Sequence, residues 1–136
     1  MKLRFLMGCF LLAPIAVLAD VEPGNWELKV TASVVGMGAL DPVTRTQCLT
    51  AADARDPSRV FGPNNNPNCT FADRQDTGSV FTFTVSCGGA VPVTGSGSVR
   101  YGRDTLDADM ELSGDAGGQK FVTRSNVSGR RLGPCQ

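Results

Sequence analysis

Five cysteines and no histidine bound the chemistry open to this chain. Cys9 sits in an apolar leader. Cys48, Cys69, Cys87 and Cys135 remain. An even count of cysteines in an exported chain reads as two disulfides. Zinc is the competing use, but the set contains no C-x-x-C pair and no histidine to complete a site. The lack of histidine also removes a Ser-His-Asp triad, a Cys-His pair and imidazole metal ligation. Bridged cysteines leave no thiolate nucleophile. The expectation is a protein that is not an enzyme and carries no cofactor.

The densest cluster of one charge is Asp104, Asp107, Asp109, Glu111 and Asp115. Several carboxylates could hold calcium, and two could serve as a hydrolytic acid and base. The spacing favours a plainer role. Asp107, Asp109 and Glu111 alternate with Ala108, Met110 and Leu112, so they form the solvated face of a strand, while Asp104 and Asp115 fall in turns. Strand residues two apart lie about 7 Å from each other, too far to wrap one ion without a neighbouring loop. Arg100 and Arg124 fall on matching faces of adjacent strands and are placed to pair with these acids. No metal site is assigned.

Two other features invite a functional reading. Arg130 and Arg131 could clamp an anion, since guanidinium forks suit oxyanions; the alternative is a charged edge strand that discourages aggregation. Trp26 could stack on a ligand, but a lone tryptophan opening an amphipathic strand suits a core.

The chain starts with a short basic segment, "MKLR", and an apolar run ending in small residues, "FLMGCFLLAPIAVLA". That is the layout of a secretory signal peptide cut after Ala19. The organisation is then residues 1–19 as leader and 20–136 as one β domain, periplasmic or secreted. The run is short for a membrane span, which needs about 20 residues, and no transmembrane segment is expected in the mature chain. A retained anchor and lipidation at Cys9 are the alternatives. Losing Lys2 and Arg4 leaves 11 basic and 13 acidic residues, a net charge near −2. Nucleic-acid binding needs a basic face and is not expected.

The elements follow from alternation of period two. In "NWELKVTASV", Trp26, Leu28, Val30, Ala32 and Val34 share one face, against Glu27, Lys29, Thr31 and Ser33. "VVGMGALDP" breaks the pattern and reads as a turn or mobile loop. "VTRTQC" is a short second strand. Thr50 and Asp53 form a capping pair ahead of a short helix over about 51–56, ended by Pro57. "GPNNNPN" is a loop by composition.

"CTFADRQDTGSVFTFTVSC" reads as a hairpin turning at Gly78. That register sets Cys69 opposite Cys87 and Phe71 opposite Val85, with the apolar residues on one side of both strands. The predicted bridges are therefore Cys69–Cys87 and Cys48–Cys135; the two other connectivities stay open. A cysteine one residue from the chain end, where chains usually fray, would then be a tether. In the chain-entropy account the long loop contributes roughly 4 kcal/mol and the short one about 3. "PVTGSGSVRY" pairs with "TLDADMELS" so that Tyr101 meets Leu106, Val99 meets Ala108 and Gly97 meets Met110. The last strand, "QKFVTRSNVSG", puts Phe121 and Val127 inward. Gly95 and Gly97 lie mid-strand on the inner face, where glycine marks a bend or a close approach. The fold class is all-β: an antiparallel, strongly coiled sheet or partly closed barrel, with one short helix and two disulfides.

"PGNWELKV", "TQCLT" before the helix, a cysteine on either side of an aromatic hairpin, "GSGSVRY" and the closing "GRRLGPC" occur in that order. Together they resemble the bacterial family DUF3617, exported proteins of about this size, from Pro23 to Cys135. The resemblance implies export and fold. It brings no catalytic residues, because the family has no assigned activity. Similar members often carry a methionine- and proline-rich loop after the first strand. Here it keeps only Met37 and Pro42, which weakens any reading built on a methionine cluster.

The expected function is a non-enzymatic envelope module that binds a small apolar ligand or a protein partner. Trp26, Phe81, Phe83, Met110 and Phe121 would line a pocket or fill the core. The alternative is a metal- or stress-handling accessory using the acidic strand 104–115 or the Met37 loop.

Overall fold

The computed structural model describes residues 21–55 and 68–136. The leader with Cys9, the end of the helix at Pro57 and most of the asparagine loop lie outside the described residues. Among the described residues eight strands and one helix follow in order: β1 Gly24–Val34, β2 Gly38–Ala39, β3 Val43–Leu49, α1 Ala51–Arg55, β4 Cys69–Asp76, β5 Val80–Cys87, β6 Val93–Tyr101, β7 Thr105–Ala116 and β8 Gln119–Gly133. All pairings are antiparallel. The order is β2-β1-β8-β7-β6-β5-β4, with β3 also on β1. From β4 to β8 the chain is a meander, and β8 returns to β1.

The sheet does not close. β4 forms one edge, and β2 and β3 share the other because β8 occupies the far side of β1. The expected all-β antiparallel sheet is present, with its two edges left unjoined. The expected registers are: Cys69 opposite Cys87, Phe71 opposite Val85, Val99 opposite Ala108 and Tyr101 opposite Leu106. Both predicted bridges are present, Cys48–Cys135 and Cys69–Cys87. The helix is capped reciprocally: the Thr50 amide donates to Asp53 Oδ2 at 3.0 Å, and the Asp53 amide donates to Thr50 Oγ1 at 3.2 Å.

Three expectations need correction. The β1–β3 connection is not all loop, because Gly38 and Ala39 pair with Val34 and Ser33 as a minimal strand. β8 runs on to Gly133, so Arg130 and Arg131 lie in an interior strand between β1 and β7, not on an edge. Their edge-protecting role is thereby excluded. Finally, β4 carries a bulge: Asp73 and Arg74 together oppose Phe83, and Asp73 takes a left-handed backbone at φ 52°. The run "ADRQD" has no alternation to betray it.

The inner face holds two buried clusters. Val21, Trp26, Leu28, Leu49 and Leu106 form one. Phe81, Phe83, Val85, Val99 and Ala108 form the other. Tyr101 and Val127 pack against both and join them. Each fully buried large side chain here contributes about 1.5–3 kcal/mol relative to exposure. The glycines on this face permit close approach. A Cβ at Gly97 would stand 2.5 Å from the Phe83 ring, and one at Gly95 would fall on the Glu111 carbonyl.

Candidate functional site

The inner face is made of cross-strand rows, each fixed by register. Leu28, Gly129, Leu106 and Tyr101 make one row, and Val30, Val127, Ala108, Val99 and Phe81 the next. Burial is high here: Trp26, Leu28 and Phe81 are fully covered, the Trp26 indole N–H donates to the Glu22 carbonyl at 3.0 Å, and Arg74 stands 4.5 Å over the Phe81 ring. Moving along the strands, the cover thins. Ala32, Ser125 and Met110 are half-buried, as are Val34, Thr123 and Leu112 one row further and Phe121 beyond them. At that end Val35, Met37 and Leu40 are exposed, Met37 at 86%, while Val43, opposite Val30, is exposed further back on the β3 edge.

The five aromatic and methionine candidates therefore separate. Trp26, Phe81 and Phe83 are packed core; Phe83 stacks on Phe81 with centroids 5.3 Å apart. Met110 and Phe121 lie at the open end. The apolar tip formed by Val35, Met37 and Leu40 escaped the reading by alternation. Its signal was three large apolar residues in a segment rich in glycine and proline.

The arginine pair does not act as a clamp in this geometry. Consecutive strand residues face opposite ways. Arg130 Nε donates to Glu27 Oε1 at 2.9 Å on the polar face, and that bond raises the Arg130 pKa further. Arg131 Nε donates to the Pro23 carbonyl at 3.0 Å. The acidic strand pairs as its alternation implied. Arg100 bonds Asp107 at 2.5 Å and Asp109 at 3.2 Å, and the Asp107 hydrogen bond is the main cause of its raised pKa. Arg124 Nε donates to Glu111 Oε2 at 2.7 Å, and Asn126 donates to Asp109 at 3.0 Å. Among the described residues no three His, Cys, Asp or Glu side chains gather as metal ligands.

The polar face holds a hollow that crosses the strands. Phe83, Gly97, Met110 and Ser125 are successive partners across β5, β6, β7 and β8, and their backbone forms its floor. Thr84, Ser96, Glu111 and Arg124 make one wall, and Thr82, Ser98 and Asp109 the other. Its volume is about 560 Å³. The bulged strand closes one end with Asp73 and Gln75, and Asp73 is held by the Thr84 hydroxyl at 2.9 Å. A second hollow of about 300 Å³ shares Asp109, Arg124 and Ser125 and extends over β1 to Ala39.

A family model described as "Protein of unknown function (DUF3617)" matches residues 21–135. No curated protein and no solved structure matches the chain.

Proposed function

We propose, from the premise that this chain belongs to the DUF3617 family, that it is an exported, non-enzymatic envelope module. It receives an apolar group at the open end of its inner face. The group is a small apolar ligand or the apolar side chains of an envelope protein. One observation carries the reading: cover on the inner face thins from Trp26 toward Phe121 and ends in exposed Val35, Met37 and Leu40. Exposed apolar residues standing together mark interaction surfaces.

Other features support the location. Two disulfides suit an oxidising compartment, and among the described residues no helix is long and apolar enough to cross a membrane. The metal-handling alternative is less favoured, because Asp107, Asp109 and Glu111 already accept from arginine and asparagine.

The test is binding of the neutral apolar dye N-phenyl-1-naphthylamine to the exported chain, alongside native mass spectrometry. Met37→Ser with Leu40→Ser should weaken dye binding on the order of tenfold, and folding should be unchanged because both side chains are exposed. A co-purified small mass would identify the small-ligand arm; a co-purified chain would identify the partner arm. Dye binding that is absent, or indifferent to both substitutions, would overturn the reading.

A further inference from the structure

We propose that the hollow on the polar face binds a linear, uncharged, polyhydroxylated ligand, a short run of an oligosaccharide lying across the strands. The inference stands apart from the apolar end and does not depend on it. With its extension over β1 the hollow crosses five strands, a trough roughly 19 Å long at the usual strand spacing. Its side chains repeat once per strand, in two rows on either side of a continuous backbone floor. A repeating ligand meets a repeating set of partners there.

The wall chemistry selects among linear ligands. The larger hollow presents Asp73, Asp109 and Glu111 against one arginine, Arg124, which is already bonded to Glu111. Nucleic acids and other polyanions are repelled. The floor strands have neighbours on both sides, so their N–H and C=O groups are engaged in ladders. An extended peptide finds no free main-chain partners there, and strand addition needs an edge. What the trough does offer is side-chain hydrogen bonding. Thr82, Ser96 and Ser98 hydroxyls and the Gln75 amide make no hydrogen bond to other described residues. Hydroxyls and amides both donate and accept, and a carboxylate has acceptor sites left after one ion pair. Sugar hydroxyls also donate and accept, so they complement this set. With no aromatic side chain in the walls, each ring gains little, and affinity accumulates with chain length.

The experiment is an amide-resolved NMR titration of the oxidised, exported chain with chitin-derived oligosaccharides of increasing length. Shifts are expected at Phe83, Gly97, Met110 and Ser125, with affinity rising on the order of tenfold along the series and levelling once the trough is filled. Ser98→Tyr fills the trough with a residue suited to strands and should abolish the shifts; should it not fold, Ser96→Ala with Ser98→Ala should weaken them severalfold. No shifts at any length, shifts that avoid the floor residues, or tighter binding of polyphosphate or a peptide at the same amides would overturn the proposal.

Discussion

Cys48 and Cys135 are joined across a strand that belongs to neither. Asn25 of β1 pairs with Cys48 on one side and with Gly133, two residues before Cys135, on the other. The bridge therefore ties β3 and the end of β8 over β1, at a Cα separation of 5.5 Å and a sequence separation of 87. The Cys69–Cys87 bridge instead links directly paired residues 18 apart.

The two bridges should differ in weight. A longer closed loop removes more freedom from the unfolded chain, roughly 4 kcal/mol for the long one and about 3 for the short one. Cys48→Ser with Cys135→Ser should lower the unfolding free energy more than Cys69→Ser with Cys87→Ser. Urea denaturation of both double variants checks this, and a reversed order would contradict it.

Gly95 and Gly97 should rank in a definite order. A Cβ at Gly97 meets the Phe83 ring, which belongs to a side chain and can shift. Overpacking of that kind costs about 1–3 kcal/mol. A Cβ at Gly95 meets the Glu111 carbonyl in the β6–β7 ladder, which cannot move without breaking strand pairing. Gly95→Ala should be the more damaging change, measured as the drop in thermal midpoint.

Much of this was legible because a strand with one buried face reports its register through its own alternation. Tyr101 opposite Leu106, and Cys69 opposite Cys87, follow from matching apolar sides. What was hidden had no such signal. Gly38 and Ala39 carry too little side chain to show a strand. The strand pattern of "QKFVTRSNVSG" ends at Gly129, and two arginines give no sign of an interior strand, although each finds a local acceptor, Glu27 for Arg130 and Pro23 for Arg131. The polar trough was invisible for another reason: its walls come from β4 to β8, and only the registers of all five strands bring Thr84, Ser96, Glu111 and Arg124 into one line.

The exposed arginine pairs should contribute little to stability. Arg100 and its partners Asp107 and Asp109 are all more than 40% exposed, and water screens such pairs. The raised Arg100 pKa means stabilisation that is fully present below the unfolded value and is lost only as pH rises through the higher folded one, far into alkali. Arg100→Gln should leave the urea midpoint unresolved from that of the parent chain. The two should also run parallel from neutral to mildly alkaline pH.

The β4 bulge makes the sharpest sequence-to-structure prediction. Asp73 and Arg74 share one partner, Phe83, so the bulge resets which way the strand's remaining residues face. It sends Arg74 over the Phe81 ring and leaves Asp76 to accept from the Tyr101 hydroxyl at 2.8 Å. Deleting Arg74 removes the extra residue. Regular pairing would then set Asp73 alone opposite Phe83 and keep Ala72, Phe71 and Cys69 opposite Thr84, Val85 and Cys87, so register and disulfide survive while the Arg74 contact over the Phe81 ring is lost. The expected outcome is retention of that disulfide, read as an absence of free thiols, with a modest fall in thermal midpoint. Asp73→Gly keeps the count and suits the left-handed backbone, so it should hold or raise stability, by up to about 1 kcal/mol. Asp73→Val should destabilise by about 1–2 kcal/mol, because a branched side chain resists that conformation. Equal stabilities for the glycine and valine variants would mean that the bulge is not held at Asp73.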